Sequence, residues 1–256
     1  MNKYFYIFVL ILLFFLGCKK KDATDATPPP ATTSGQAPIP NGIGTTNYDG
    51  LFEILKTSSK IGGNFTPASA SNCRAFLCAQ TVTNEVHLNF MDIGLVKLNN
   101  VIFAKNYSSL FNYYNDSTFT NFSSPYSWEV TGSTSYSATT FSNSTPFPIF
   151  SSYTNLPDSI SKSNGFAISL NGLSGCDFVR LMLLGPTGSQ YLSPKIAAGN
   201  SNTIGFSSSE LTSINPGNNG YLLVQFFKDN VQTLNGKLIN TRSGISYAII
   251  NFKVTS

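Results

Sequence analysis

The fold of this chain is decided by the pattern of residues 126–132, YSWEVTG. Tyr126, Trp128 and Val130 alternate with polar residues, which is the period of a β-strand with one buried face. A glycine follows, and similar apolar stretches recur downstream between turn signals such as Asn171-Gly172 and Asn235-Gly236. The pattern predicts further strands over residues 166–170, 178–184, 203–206, 221–227 and 246–254.

The segments between these strands lack the long amphipathic period of a crossover helix. Strands that are joined by turns pair antiparallel, so we predict an all-β protein built as an antiparallel β-sandwich. Roughly seven short strands with one tryptophan near the start resemble the general layout of immunoglobulin-like and fibronectin-type sandwiches. The resemblance covers residues 125–256 and concerns layout alone, because no family motif accompanies it.

The upstream region, residues 48–124, also carries strand signals. Alternation over residues 85–90 predicts a half-buried strand, and apolar residues on both sides of Asn99-Asn100 predict a hairpin. This region forms either a second small β domain or further strands of one larger sandwich. We predict two β lobes, divided at Ser123-Ser124-Pro125.

Three shorter patterns predict local features. Asp49 has the N-cap position of a short helix over residues 51–55. Ser207-x-x-Glu210 has the spacing of a capping box, which opens a helical turn. Alternation in the last strand predicts one shared face, opposite Tyr247, for Ala248, Ile250, Phe252 and Val254.

The N-terminus has the parts of a secretory signal peptide, residues 1–17. Lys3 gives a basic start, residues 4–16 are an unbroken apolar run, and Gly17 is a small residue before Cys18. As a helix the apolar run would rise about 20 Å, which is less than the roughly 30 Å core that a membrane span crosses. We therefore predict a cleaved signal and not a membrane span.

The end of this segment, Phe15-Leu16-Gly17-Cys18, resembles the lipobox of bacterial lipoproteins. The resemblance implies cleavage before Cys18, a diacylglyceryl thioether on its sulfur and an acyl group on its amine, which together give a stable membrane anchor. The alternative is a signal peptide that is cleaved elsewhere, with Cys18 incidental. In Gram-negative lipoproteins an aspartate directly after the cysteine can retain the protein at the inner membrane. Lys19 stands there, so the expected location is the cell envelope, at the outer membrane, on its periplasmic or its surface side.

Residues 18–47 are predicted to form a lipid-anchored flexible tether, because Pro, Thr, Ala, Ser and Gly dominate and bulky apolar residues are scarce. Charged residues are 11% of the chain, against about 25% in typical soluble proteins. The net charge of +4 equals the contribution of Lys3 and Lys19–Lys21, so the rest of the chain is close to neutral. Without a basic patch, a nucleic-acid partner is not expected.

Three cysteines remain besides Cys18: Cys73, Cys78 and Cys176. On one extended strand Cys73 and Cys78 would face opposite sides about 17 Å apart, too far for a disulfide. We predict buried free thiols, and the alternative is a bridge from Cys176 to one of the other two.

The sequence offers few candidates for catalysis. Its one histidine, His87, has the outward position of a strand, and no nucleophile-elbow, phosphate-loop, zinc or calcium motif is present. We predict a protein without enzymatic activity, cofactor or metal. The alternative is a carbohydrate-active hydrolase with two carboxylates, such as Glu129 and Asp177, within about 10 Å of each other in a cleft.

Aromatic residues are the remaining feature, with 21 Phe and 12 Tyr. Tyr113, Tyr114 and Trp128 are candidate ligand contacts, although the face that Trp128 shares with Tyr126 favours a core position, and a structural role is also the simpler interpretation of the tyrosines. The function that the sequence favours is a non-enzymatic binding or adhesion module displayed on a membrane, with a glycan or an envelope protein as partner. A structural envelope or matrix component is a further alternative.

Overall fold

A computed structural model describes residues 47–82, 90–108, 111–119, 125–188, 190–192 and 194–256. The predicted signal peptide, Cys18, the tether and His87 lie outside these residues. The described part of the chain belongs to one compact unit and contains only strands, turns and two short 3₁₀ helices, Tyr153–Asn155 and Glu210–Ser213. The prediction of an all-β fold is therefore confirmed.

The strands are β1 (Tyr48–Ile61), β2 (Thr66–Val82), β3 (Val96–Leu98), β4 (Val101–Ile102), β5 (Ala104–Ser108), β6 (Phe111–Phe119), β7 (Tyr126–Val130), β8 (Thr139–Asn143), β9 (Ile149–Phe150), β10 (Ser159–Ser161), β11 (Phe166–Ser169), β12 (Leu173–Ser174), β13 (Phe178–Leu184), β14 (Lys195–Ala198), β15 (Thr203–Phe206), β16 (Gly217–Lys228), β17 (Val231–Leu234) and β18 (Lys237–Thr255).

The largest sheet has ten strands, and β18 lies at its centre. The order along the sheet is β14-β13-β16-β18-β1-β2-β6-β5. Because β18 is longer than its neighbours, each of its sides has room for two strands. One side pairs with β1 and then with β10, and the other pairs with β17 and then with β16.

Most neighbouring strands pair antiparallel, as predicted, but β1 and β10 each run parallel to β18. The expectation that turn-linked strands pair antiparallel fails here because these partners are not consecutive. β1 and β18 are the first and last described strands, so no turn sets their relative direction.

Smaller sheets cover one face of the large sheet and complete the sandwich. The four-stranded sheet β4-β3-β7-β8 encloses a first core cluster with β1, β2 and β6, and the pairs β11-β15 and β9-β12 enclose a second with β13, β16 and β18. Ile239 packs in the first cluster and Tyr247 and Ile249 pack in the second. By alternation these three residues share one side of β18, so both clusters lie on the same face of the sheet.

The predicted division between lobes, at residues 123–125, falls within the four-stranded sheet, since β3 pairs with β7. The two core clusters instead change over between Phe141 and Phe150. The Ser-Ser-Pro signal comes directly before β7. A local signal of this kind does not show which strands pair, because pairing depends on contacts between distant residues.

Local predictions have mixed outcomes. Asn235-Gly236 and Asn99-Asn100 have positive φ angles and close two-residue hairpins, as expected for type I′ turns. The capping box is confirmed, because Ser207 N donates to Glu210 Oε2 at 2.9 Å and Glu210 N donates to Ser207 Oγ at 3.4 Å. The prediction of a helix after Asp49 is wrong, because residues 48–61 form β1. The first half of β1 is buried on both faces, so its sequence lacks the alternation of apolar and polar residues that marks a half-buried strand.

The predicted faces of the last strand are also wrong, because of a β-bulge. Asn251 has a φ of 60°, and the pairing register shifts between Gly220 and Tyr221 opposite it. The extra residue changes the phase of alternation, so Tyr247 and Ile249 share the second core cluster with Phe252 and Val254.

Candidate ligand-binding cavity

Two of the candidate ligand contacts are core residues. Trp128 has no exposed surface, and its ring makes edge contacts with Phe52 at 5.2 Å and Phe103 at 5.5 Å between centroids. Tyr114 is equally buried and its hydroxyl donates to the carbonyl oxygen of Gly94 at 2.5 Å. A structural role is thus confirmed for both, and neither is available to a ligand. The side chain of Tyr113 is outside the described part of the structure.

The two carboxylates of the hydrolase alternative each pair with a lysine. Glu129 Oε1 is 2.8 Å from Lys97 Nζ, on the four-stranded sheet. Asp177 Oδ1 is 2.6 Å from Lys228 Nζ, and Asp177 Oδ2 accepts the backbone N–H of Asp229 at 2.8 Å. Neither carboxylate lines a described cavity.

Cys73, Cys78 and Cys176 form no disulfide in the described structure, as predicted, and Cys73 and Cys78 are buried whereas Cys176 is half-buried. Cys73 and Cys78 lie on β2 and pack into different clusters, which confirms that they face opposite sides. Burial raises the pKa of Cys78 to about 11, with the Asp49 carboxylate contributing, and burial raises the pKa of Cys176 to about 11. Such thiols react slowly near neutral pH.

The larger of the two described cavities has a volume of about 670 Å³ and opens beside β9, β10 and β11. This lies within the range of roughly 300–1,000 Å³ that is usual for small-molecule sites. The residues that line it come from one segment, and the polar ones are Ser152, Asn155, Ser159, Ser161, Asn164, Ser169 and Asn171.

The lining of this cavity carries no ionisable side chain. Asp158 and Lys162 belong to the same segment but do not line the cavity, and Asp158 is 2.7 Å from Lys60 Nζ. The half-buried ring of Phe166 and the buried ring of Phe150 add apolar surface to the hydroxyl and carboxamide groups. Uncharged donors and acceptors beside aromatic rings suit a neutral ligand that is rich in hydroxyl groups.

Three carboxamides of the cavity are available to a ligand. Asn155, Asn164 and Asn171 have exposed side chains, and no hydrogen bond to another described residue holds their amide groups. Each carboxamide has donors on nitrogen and an acceptor on oxygen, so a pair of them can bind neighbouring hydroxyls in both directions.

Tight turns hold the cavity walls in place. Gly172 has a φ of 81°, and its carbonyl oxygen accepts the backbone N–H of Ser151 at 3.2 Å. Gly165 has a φ of 68°, and a Cβ there would lie 2.8 Å from the carbonyl oxygen of Phe206. Both positions therefore require glycine, which fixes the loops that carry Asn164 and Asn171.

A second, shallower depression of about 520 Å³ lies across the turn at residues 162–164. Ser163, Ser208, Ser209 and Thr212 give it hydroxyl groups, and Lys162 is the one charged side chain among its lining residues. Lys162 Nζ donates to the carbonyl oxygen of Thr212 at 2.9 Å, which ties the turn to the second 3₁₀ helix.

The sequence alone did not predict the larger cavity, which residues 150–171 line. The available signal was the density of Ser and Asn among residues 151–171, SSYTNLPDSISKSNGFAISLN, combined with two glycines after asparagines. That composition is also typical of ordinary turns, so only the structure distinguishes a cavity wall from a loop.

No group of three His, Cys, Asp or Glu residues within the described ranges is arranged to hold a metal ion. Among the same residues, no helix has the length and apolar character to span a membrane. Comparisons of the chain with family models, with curated proteins and with solved structures gave no match.

Proposed function

We propose that this protein is a lipid-anchored, non-enzymatic binding module of the cell envelope, and that its sandwich binds a neutral glycan in the cavity at residues 150–171. The observation that carries the ligand class is the uncharged lining of that cavity. A glycan presents many hydroxyl groups and weakly apolar ring faces, which match carboxamides, serines and the ring of Phe166.

The geometry gives this proposal more support than the hydrolytic alternative. Glycoside hydrolysis uses two carboxyl groups on either side of the scissile bond. Neither Glu129 nor Asp177 reaches the cavity, and a lysine is paired with each of them. A ligand in this cavity would therefore meet groups that bind it and no acid or base that turns it over.

The anchoring part of the proposal is supported by the sequence of residues 1–18 and by the tether that follows. Cells that express the full chain are grown with labelled palmitate, and the wild type is compared with Cys18→Ser. The expected result is label in the wild type only, with the variant released from the membrane fraction. Equal membrane association of an unlabelled variant would reject the anchor.

The binding part is tested on a glycan array with the full chain purified in detergent. Asn155→Ala and Asn164→Ala remove exposed carboxamides from the cavity, while Asn218→Ala removes an exposed carboxamide from β16, outside it. We expect neutral glycans to bind and each cavity variant to lose at least about fivefold in affinity, since a lost hydrogen bond costs about 1 kcal/mol or more. The control should keep the wild-type affinity. Release of reducing sugar from a bound glycan, or equal affinity in all three variants, would contradict the proposal.

A further inference from the structure

The strands at the two ends of the described chain form one continuous parallel pair. Residues Gly50–Ile61 of β1 lie beside Ile239–Ile250 of β18 without a break in register. No other neighbouring strands in the described structure share more inter-strand contact than these two.

The two places where tension would enter lie at opposite ends of this pair. The predicted tether precedes Tyr48, at the end where Gly50 pairs with Ile239. The cavity lies at the other end, since β10 contributes Ser159 and Ser161 to its wall and these pair with Lys253 and Thr255. From Ile239 to Thr255 the strand extends about 50 Å at ~3.3 Å per residue.

We propose that the β1–β18 pair is a mechanical clamp that bears tension between the membrane anchor and the bound ligand. The use of the clamp in the envelope rests on the proposed function, whereas the mechanical property belongs to the fold itself. Tension pulls β1 toward its N-terminal end and β18 toward its C-terminal end. Because the strands are parallel, this load slides one along the other and stresses all of the backbone hydrogen bonds between them at once.

Side chains lock the same register. Glu53 lies beside Arg242 in the parallel ladder, and Arg242 Nη1 is 3.5 Å from Glu53 Oε2. Glu53 also accepts from Arg74 Nε on β2 at 2.8 Å, and Arg242 Nε donates to Asp229 after β16 at 2.7 Å. A slip by one residue would move Glu53 to the other face relative to both arginines, so the ionic contacts oppose sliding in either direction.

Single-molecule pulling on the full chain, unlipidated and free of ligand, tests the clamp independently of the anchoring and binding proposals. In the shear geometry, handles are attached at residues 47 and 256, at opposite ends of the pair. In the peeling geometry they are attached at residues 47 and 235, since Asn235 lies in the turn that leads into β18, at the end where β1 begins. We expect the shear geometry to require a several-fold higher unfolding force, because peeling breaks one residue pair after another and forced unfolding follows the barrier to the first irreversible step.

Two variants examine the lock. Glu53→Gln is expected to lower the unfolding force in shear more than in peeling, whereas Glu129→Gln, which removes the Lys97 ion pair from the four-stranded sheet, leaves both forces unchanged. Should Glu53→Gln not fold, the comparison of the two geometries in the wild type still decides. Equal forces in both geometries would overturn the clamp, and they would leave the glycan array and palmitate results untouched.

Discussion

A row of four alternating charges crosses the large sheet on the face away from the two main core clusters, and breaking it provides the sharpest test of how this fold is held together. The row runs Arg74, Glu53, Arg242 and Asp229, on β2, β1, β18 and the residue after β16. Arg242 has no exposed surface and its guanidinium lies 5.0 Å from the ring centroid of Phe178 and 5.2 Å from that of Phe227. Two cations and two anions leave the row neutral.

The structure indicates how large each effect should be. Asp229 holds Arg242 through two contacts, at 2.7 and 3.4 Å, and its own side chain is 6% exposed. Asp229→Asn leaves one unbalanced positive charge in the row, and Arg242→Met leaves one unbalanced negative charge. Removal of one partner of a buried pair costs about 3–5 kcal/mol of unfolding free energy.

The double variant Arg242→Met with Asp229→Asn restores neutrality, because the Arg74–Glu53 pair remains. Methionine also fits the apolar space beside the two phenylalanine rings. What remains is an asparagine carboxamide without its partner, at about 1–3 kcal/mol. The double variant should therefore be no less stable than either single variant.

Urea unfolding of the wild type, both single variants and the double variant measures the four free energies. Independent effects would make the double variant about 6–10 kcal/mol less stable than the wild type, twice the cost of one broken pair. A loss of that size would refute the claim that charge balance in this row governs its stability. Unchanged stability in the single variants would refute the claim that the row is effectively buried.

Two other predictions concern the backbone and the pH range. Gly94→Ala is expected to cost about 1–3 kcal/mol or more by thermal or urea unfolding, because Gly94 has a φ of 82° and a Cβ there would collide with the carbonyl oxygen of Gly132. Gly63→Ala is the control, because Gly63 has a φ of 90° but no atom lies within 4 Å of the added Cβ, so only the backbone strain remains and the cost should be smaller. An equal cost at both sites would show that the contact with Gly132 does not matter. Burial raises the pKa of Cys78 and Cys176 to about 11 and also raises the pKa of Tyr221 and Tyr247. At a pH between the ordinary and the raised pKa of such a group, the folded state keeps a proton that the unfolded state has released. The free energy of unfolding should be highest below about pH 9, the ordinary pKa of the thiols, and should fall as the pH rises toward 11. The fall should be less steep in the double variant Cys78→Ala with Cys176→Ala. A urea midpoint that stays constant from pH 8 to 10.5 would contradict this.

Local patterns in the sequence predicted what local physics determines. The strand expected over residues 178–184 is β13, and Asn235-Gly236 closes the β17–β18 hairpin because both residues accept a positive φ. Ser207 and Glu210 cap each other because they are three residues apart. Each of these features needs only neighbours in sequence.

The features that the sequence analysis missed or predicted wrongly depend on contacts between residues that are distant in sequence. β1 is recognisable as a strand only once its position between β2 and β18 is known, because burial of both faces removes the alternation. The bulge at Asn251 adjusts β18 to Gly220 of another strand, and the ladder of Arg74, Glu53, Arg242 and Asp229 joins four segments. The cavity could not be predicted either, because serine and asparagine are common in ordinary turns. Only the folded structure shows that these residues line a cavity.

The central position of β18 also bears on how such a chain reaches its final state. Until residues 237–255 pair, β1 has an open edge along a stretch that includes Leu51, Phe52 and Ile54, all of them buried in the finished sheet. An open apolar edge invites pairing with other chains, and a contact between the first and last strands is slow to form. A sheet that closes only when β18 pairs is consistent with our proposal that the chain is exported and folds outside the cytoplasm. The same closure puts β1, which follows the predicted tether, in the middle of the sheet, so β2 and β18 would share the tension that we propose.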